Sequence, residues 1–227
     1  MSIYAIADTH LSFAADKPMD KFPGWQDYVL RLKTNWTRLV EPKDTVVIAG
    51  DISWGMTMEQ ALPDLRFLQE LPGKKLIFKG NHDYWWNSMK KLETLKAENG
   101  LDSISFVHNT AVAAEGIAVC GTRGWMPEAG DDDKVLRREA GRLRMSLAAA
   151  GETGLEPVVF LHYPPIYESA VCEEIYSVLL EYGVKRCFFG HLHYERTGRF
   201  RRVERDGVVF SLISADFLGF TPLLVEK

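Results

Sequence analysis

Short apolar runs that end abruptly in polar residues recur along this chain. Each run has three to five residues, the length of a strand that is buried on both faces. A side chain that can hydrogen-bond or ionise follows each run, either directly or after one glycine. The spacing predicts inner strands that emerge into loops at one edge of a sheet. The five runs are Ile3–Ala7, Val46–Ala49, Leu76–Phe78, Val158–Leu161 and Cys187–Phe189.

Between these runs, apolar residues recur at the spacing of α-helices. Trp25, Val29, Leu32, Trp36 and Leu39 recur at the spacing of an amphipathic helix, with Trp25 and Trp36 expected in the core. Strands alternating with helices predict an α/β fold, and at 227 residues we expect one domain over 1–227. The remaining predictions are helices over Met58–Leu71, Leu136–Leu147 and Ala170–Tyr182, a meander over Phe106–Cys120, a hairpin of Gly198–Val203 with Val208–Ile213, and a closing strand over Thr221–Val225.

The residues that follow the five runs share one chemistry. They are carboxylates, imidazoles and one amide, and five of the six histidines of the chain are among them. If the chain stays extended through Thr9, Asp8 and His10 project to the same face and can reach one metal ion. The predicted site residues are Asp8, His10, Asp51, Asn81, His82, Asp83, His162, His191 and His193.

The order of these motifs, D-x-H, G-D, G-N-H-D, H and G-H-x-H, resembles the calcineurin-like metallophosphoesterase family of two-metal phosphohydrolases. The resemblance implies a four-layer α/β/β/α sandwich with two packed mixed sheets between helices. Phosphoprotein phosphatases of the family continue G-D-x-x-D-R-G, whereas this chain reads Gly50-Asp51-Ile52-Ser53-Trp54-Gly55. The chain therefore does not resemble the phosphoprotein phosphatase branch.

The resemblance also implies the roles of individual residues. Asp8, His10, Asp51 and His193 would hold one metal ion, and Asp51, Asn81, His162 and His191 the other. The two cations, about 3.5–4 Å apart, would share Asp51 and a bridging hydroxide that attacks the phosphorus. Nitrogen and oxygen ligands without thiolate suit Mn²⁺, Fe²⁺/Fe³⁺ or Zn²⁺. His82 would protonate the leaving group, with Asp83 orienting it.

Three further residues are candidates for substrate contact. Arg123 could hold a phosphate oxygen through its planar guanidinium, although a lone arginine is more often part of a surface ion pair. Trp54 and Tyr84 lie beside the motifs, and with Trp125 they could form a surface on which a base or aryl group stacks. In Tyr84-Trp85-Trp86 we expect two core residues and one over the site. The long loop Leu11–Gly24 is expected at its rim, and Asp131-Asp132-Asp133 is expected to cap a helix rather than bind metal.

The composition of the chain indicates which classes of substrate and which cellular location to expect. A net charge of −4 gives no overall attraction for nucleic acid or an anionic membrane, so the expected substrate is a phosphorylated small molecule or a nucleotide. Three widely spaced cysteines and the absence of a long apolar run favour a cytoplasmic protein with reduced thiols. A nuclease or nucleotide phosphodiesterase, and a catalytically silent scaffold of the same fold, remain the alternatives.

Overall fold

In a computed structural model, the described residues are 1–126, 133–167, 170–193 and 202–227. The thirteen strands in this part of the chain are β1 (Ile3–Ile6), β2 (Thr45–Ala49), β3 (Lys74–Phe78), β4 (Ile104–Phe106), β5 (Ala111–Ala114), β6 (Ile117–Thr122), β7 (Glu156–Leu161), β8 (Ile166–Tyr167), β9 (Ala170–Val171), β10 (Arg186–Phe189), β11 (Arg202–Arg205), β12 (Val208–Leu212) and β13 (Leu223–Glu226). Its helices are α1 (Tyr28–Leu39), α2 (Met58–Glu70), α3 (Met89–Glu98), α4 (Asp133–Glu152) and α5 (Glu173–Glu181), with a 3₁₀ turn at Met19–Lys21.

Two mixed sheets form the centre of the fold. The first has the order β13-β1-β2-β3-β4 and the second β11-β12-β10-β7-β6-β5, while β8 and β9 form a separate pair. Strands β1 to β4 are parallel to one another, as are β6, β7, β10 and β12. Side chains such as Val47, Phe78 and Phe160 fill the space between the sheets. The α/β sandwich expected from the resemblance is thus confirmed.

Helices cover the outer face of each sheet. The apolar faces of α1 and α2 pack with the first sheet, and those of α4 and α5 with the second. Trp25 and Trp36 are fully buried, as expected. The three cysteines are buried and free of disulfides. Within the described ranges, no helix combines the length and the apolar character that crossing a bilayer requires.

Several predicted boundaries differ from the structure. Phe106 ends β4 in the first sheet, so Phe106–Cys120 is not one meander, and only β5 and β6 pair there. Ala170–Val171 pairs with Ile166–Tyr167 instead of beginning the helix, which starts at Glu173. The predicted helix around Trp25 begins at Tyr28, and α3 had no predicted counterpart.

Other predictions agree or lie outside the described residues. The α2 helix ends one residue before the predicted boundary, the β11–β12 hairpin is present, and the closing strand runs from Leu223 to Glu226. Residues 198–201 of the predicted hairpin and the side chains of Asp131, Asp132 and Asp133 are outside the described part, so the capping role of these acids stays a prediction.

Candidate metal centre

The carboxyl ends of parallel strands from both sheets meet at one place. A backbone connection brings the sheets together there: the amide of Ala7 donates to the Ile213 oxygen at 2.8 Å, and the amide of Ala215 donates to the Ala7 oxygen at 2.9 Å. The end of β1 therefore lies beside the end of β12. All seven predicted metal ligands are brought together at this junction: Asp8, His10, Asp51, Asn81, His162, His191 and His193.

One group of ligands consists of Asp8, His10 and His193, whose nearest ligand atoms all lie within 4.8 Å of one another. The Nε2 atoms of His10 and His193 face each other at 3.1 Å, and His193 Nε2 lies 3.8 Å from Asp8 Oδ1. Two imidazole nitrogens at this distance point toward a common centre. All three side chains could coordinate a cation that lies between the two imidazoles and the Asp8 carboxylate.

The second group lies next to the first. Asp8, Asp51 and His162 form a further set within 4.8 Å. Asn81 Oδ1 lies 2.5 Å from His162 Nε2 and 3.1 Å from His191 Nδ1. Asp51 Oδ2 lies 3.4 Å from His162 Nε2 and 3.9 Å from His10 Nε2, so this carboxylate is placed between the two groups.

The charge state of these residues fits a bound cation. Burial raises the pKa of Asp8 to about 7 and that of Asp51 well above its ordinary value, with repulsion from neighbouring carboxylates adding to the effect at Asp51. Burial also lowers the pKa of His10 and His162. Among the described residues, Asp8 Oδ1 is buried without a hydrogen-bond partner. Buried polar atoms of this kind are costly unless an ion or another partner satisfies them, and an all-nitrogen and oxygen donor set suits Mn²⁺, Fe or Zn²⁺.

Two imidazoles are oriented by contacts on the side away from the ligand groups. His162 Nδ1 lies 3.2 Å from the Ala49 backbone oxygen, and His193 Nδ1 lies 3.1 Å from Asp216 Oδ1. Such contacts fix the ring and its tautomer and leave Nε2 for a metal. Sequence reasoning missed Asp216, although it follows the run Val208–Ile213 and so obeys the same strand-end rule.

The backbone at the site is strained in a consistent way. Asp8, His10, Asp51 and His191 have φ values of 58°, 44°, 51° and 70°, in the left-handed region that residues other than glycine adopt uncommonly. The sequence interpretation took the chain to be extended through Thr9, and these φ values show that it is not. Asp8 and His10 reach the site because the chain turns sharply after β1.

Two glycines before ligands allow close approach of the strand ends. A Cβ at Gly80 would overlap the carboxylate and the amide nitrogen of Asp51, and one at Gly190 would overlap the carboxylate of Asp8 and lie 2.6 Å from Ala7 Cβ. The glycines of G-N-H-D and G-H-x-H are thus required by packing between motifs.

Asp83 holds two of the motif loops together. Its carboxylate accepts from the backbone amides of Gly80, Asp51, Ile52 and Ser53 at 2.7–3.3 Å, and from Trp85 Nε1 at 3.0 Å. These five donors come from the loops after β2 and β3. The orientation of His82 by Asp83 stays a prediction, and the described contacts give Asp83 a structural role in placing Asp51.

His82 opens onto a cavity of about 470 Å³. Trp54 stacks on His10 with ring centroids 4.8 Å apart and lies 4.5 Å from the His82 ring. Tyr84 is exposed beside His82, while Trp85 and Trp86 are buried, which confirms the expectation of two core residues and one at the site. Residues 14–17 of the predicted rim loop line the same cavity. Trp125 is not among the residues that line it and instead contacts Tyr163 and Arg123.

Arg123 lies outside both ligand groups. Its backbone oxygen accepts from the amides of His162 and Tyr163 at 3.1 and 2.8 Å, and its guanidinium faces Glu139 at 3.5 Å. The side chain lines a different cavity from the one beside His82. Its predicted contact with the reacting phosphate is not tested by this geometry and stays a prediction.

Three solved structures share this fold at low sequence identity. The phosphopantetheinyl hydrolase from Mycobacterium tuberculosis has a TM-score of 0.59 and 14% identity, covering 99% of this chain and 95% of its own. A protein of unknown function from Aquifex aeolicus has a TM-score of 0.55 and 14% identity, with 98% and 95% covered. The protein TT1561 of Thermus thermophilus has a TM-score of 0.56 and 12% identity, with 99% and 97% covered.

A search of curated proteins gives no significant match. The model of the calcineurin-like phosphoesterase family matches residues 1–195, which contain every motif described above. The chain belongs to the calcineurin-like phosphoesterase family.

Proposed function

We propose that this phosphoesterase hydrolyses its substrate at a centre of two divalent cations held by the seven ligand residues. The observation that carries the proposal is the meeting of two buried carboxylates, Asp8 and Asp51, with the Nε2 atoms of three histidines at distances of 3.4–3.9 Å. A cation between these groups would favour ionised carboxylates and neutral imidazoles, the forms in which they bind metal.

Asp8, His10, Asp51 and His193 would hold one ion, and Asp51, Asn81, His162 and His191 the other. When bound, a pair of Mn²⁺, Fe or Zn²⁺ ions supplies a hydroxide nucleophile near neutral pH and neutralises the phosphate oxygens. Asp51 is the proposed shared ligand because its Oδ2 lies between His10 and His162. The Ala49 oxygen and Asp216 hold His162 and His193 so that their Nε2 atoms face the ions.

His82 is the proposed proton donor to the leaving group. Its backbone amide donates to Asp51 Oδ1 at 2.7 Å, which ties its position to the metal centre, while its ring faces the cavity of about 470 Å³. The imidazole can carry a proton near neutral pH. Loss of this proton donor would therefore affect turnover without removing a metal ligand.

The same cavity is the proposed site of the leaving group. Trp54 and Tyr84 give it aromatic walls, and Lys17 lies 5.6 Å from the Trp54 ring. These walls favour a phosphorylated small molecule or nucleotide whose leaving group has a planar or apolar part. They also support the second candidate, a nucleotide phosphodiesterase, because a base could stack there.

Hydrolysis of two esters tests the proposal. After loading with Mn²⁺, the wild type is expected to hydrolyse p-nitrophenyl phosphate or bis-p-nitrophenyl phosphate, and the faster substrate separates monoesterase from diesterase. Asp51→Asn should lose metal and activity, whereas Asp102→Asn, an exposed acid outside the site, should keep both. No hydrolysis of either ester and no bound metal by elemental analysis would instead support the silent scaffold.

A further inference from the structure

A second cavity, of about 240 Å³, lies next to the metal centre and shares no lining residue with the cavity beside His82. Its charged and polar lining includes Lys79, Ser88, His108, Arg123, Glu139 and Arg142. None of these residues is among the proposed metal ligands. The cavity is thus a separate concave site with an unusual number of basic side chains.

The charges around this cavity do not balance among the described residues. Lys79, Arg123 and Arg142 contribute three positive charges, and Glu139 is the one carboxylate in the lining. Glu139 is fully buried and already engaged: its Oε2 accepts from Thr122 Oγ1 at 2.8 Å, and its Oε1 is shared by Arg142 and Arg123. Three basic side chains around one carboxylate give the cavity lining a net charge of about +2. Such a charge in a partly closed space attracts anions.

The guanidinium of Arg123 keeps unused hydrogen-bonding capacity. Its Nε is buried and has no hydrogen-bond partner among the described residues, and its nearest contact with the Glu139 carboxylate is 3.5 Å long. A bound oxyanion could accept hydrogen bonds from this guanidinium and from that of Arg142.

The backbone connects this cavity to the metal centre. Lys79 stands two residues before Asn81, and the Arg123 oxygen accepts the amide hydrogen of His162. A group bound here would therefore lie close to the ligands of the second proposed ion. The volume is smaller than that of cavities for whole drug-sized ligands, which suits one small charged group.

We propose that this cavity binds an oxyanion, either a second, non-reacting phosphate or carboxylate of the substrate or free inorganic phosphate. The first source rests on the proposed phosphoesterase function, and it would restrict the substrates to those with two anionic groups. The second source does not depend on catalysis. Both require the same cluster of Lys79, Arg123 and Arg142, so the experiments below distinguish them.

The difference in sulfate binding between variants of the Mn²⁺-loaded protein tests the cavity, because the proposed metal centre could also bind sulfate. Isothermal titration calorimetry at constant ionic strength is expected to give about tenfold weaker sulfate binding for Lys79→Gln than for wild type, because one of three charges is lost. Lys33→Gln, an exposed lysine on α1, makes the same charge change elsewhere and should match wild type. Arg142→Gln serves as a second variant if Lys79→Gln does not fold. Equal sulfate affinity in all four proteins would overturn the proposal.

Inhibition of p-nitrophenyl phosphate hydrolysis identifies the source of the anion. If the substrate supplies it, adenosine 3′,5′-bisphosphate should inhibit the wild type about tenfold more strongly than adenosine 5′-monophosphate, and Lys79→Gln should reduce this ratio to near one. Weaker sulfate binding in Lys79→Gln without a change of the ratio would assign the cavity to free phosphate. A wild type that binds sulfate but does not hydrolyse the ester would refute the catalytic proposal and leave the cavity supported.

Discussion

Asp216 Oδ1 lies 3.1 Å from Nδ1 of His193, on the side of the imidazole opposite the Nε2 atom that faces His10 and Asp8. Burial by itself would lower the pKa of His193, but the hydrogen bond to Asp216 and the charges of Asp8 and Asp216 raise it above its ordinary value. A carboxylate in this position orients the ring and makes the nitrogen on the far side a better ligand. Asp216 is thus a positioning residue of the proposed metal centre.

We expect Asp216→Asn to weaken metal binding by roughly ten- to a hundredfold, because the ring loses a charged partner while every proposed ligand is retained. Titration with Mn²⁺ checks this, with Asp102→Asn as the exposed acid control. Urea unfolding of the metal-free proteins should show little difference between the variants. A loss of stability without any change of metal affinity would make Asp216 merely structural.

The strand-end rule explains why so much of the site could be predicted. Carboxyl ends of parallel strands meet at one edge of a sheet, so topology places Asp51 after β2 at this edge of the first sheet and His162 after β7 at this edge of the second. The two edges meet where Ala7 and Ile213 are hydrogen-bonded. Apolar runs and the residues just after them are visible in a sequence. The seven ligand candidates meet in the structure for this reason, and their role as metal ligands stays a proposal.

Other features depend on contacts between distant segments, which local patterns do not contain. Asp83 looked like a partner of His82, yet its five described hydrogen bonds link the loops after β2 and β3. Asp8 and His10 looked extended, yet contacts of their amides with Gly50 and Asp51 hold them in a turn. The basic cavity requires Lys79 and Arg142, which lie 63 positions apart in the sequence, to approach each other.

The effect of His82→Ala should depend on the leaving group. An alkyl phosphate such as glycerol phosphate needs a proton on its leaving oxygen, so turnover should fall by about 10²–10⁴. The nitrophenolate of p-nitrophenyl phosphate leaves without one, and we expect a much smaller loss with that substrate. Metal content should stay at the wild-type value because the contact of His82 with Asp51 uses the backbone amide. Equal losses for both esters would argue against proton donation.

Tyr84 is expected to act on substrate binding. It is exposed and lies 6.0 Å from the His82 ring, at the wall of the proposed leaving-group cavity. Tyr84→Leu should raise KM for a nucleoside monophosphate by about tenfold, corresponding to about 1.4 kcal/mol of lost stacking, and leave glycerol phosphate nearly unchanged. Tyr182→Leu, a partly exposed tyrosine after α5, is the matched control. Similar KM changes for both substrates would contradict a stacking role.

Gly80→Ala should remove metal binding. The added Cβ would overlap the Asp51 carboxylate and amide, so the proposed shared ligand would have to move. Gly151→Ala near the end of α4 meets no atom within 4 Å and should stabilise the protein by about 0.5–1 kcal/mol, as expected for an alanine within a helix. Metal analysis and thermal unfolding of both variants distinguish a local clash from a general intolerance of alanine. Normal metal content in Gly80→Ala would contradict the close packing of Gly80 against Asp51.

The burial of Lys75 should make the free energy of unfolding depend on pH, independently of the metal centre. It is fully buried on β3, and its Nζ donates to the Leu71 and Gly73 oxygens at 2.7 and 2.8 Å. Burial lowers its pKa to about 8, below the ordinary value of 10.5. Between these two values the unfolded chain binds more protons than the folded one, so the free energy of unfolding should rise with pH.

Comparison with Lys75→Met isolates this contribution from other groups that titrate at alkaline pH. Below pH 8 the cost of burying the charge is fully present in the wild type. Between pH 8 and 9.5 the wild type should gain about 1–2 kcal/mol relative to Lys75→Met, as the folded protein loses this proton. Urea unfolding at both pH values measures the difference. A difference that stays constant with pH would show that Lys75 keeps an ordinary pKa in the folded protein, and that its two carbonyl contacts offset the cost of burial. A difference that falls with pH would show that its pKa is raised there.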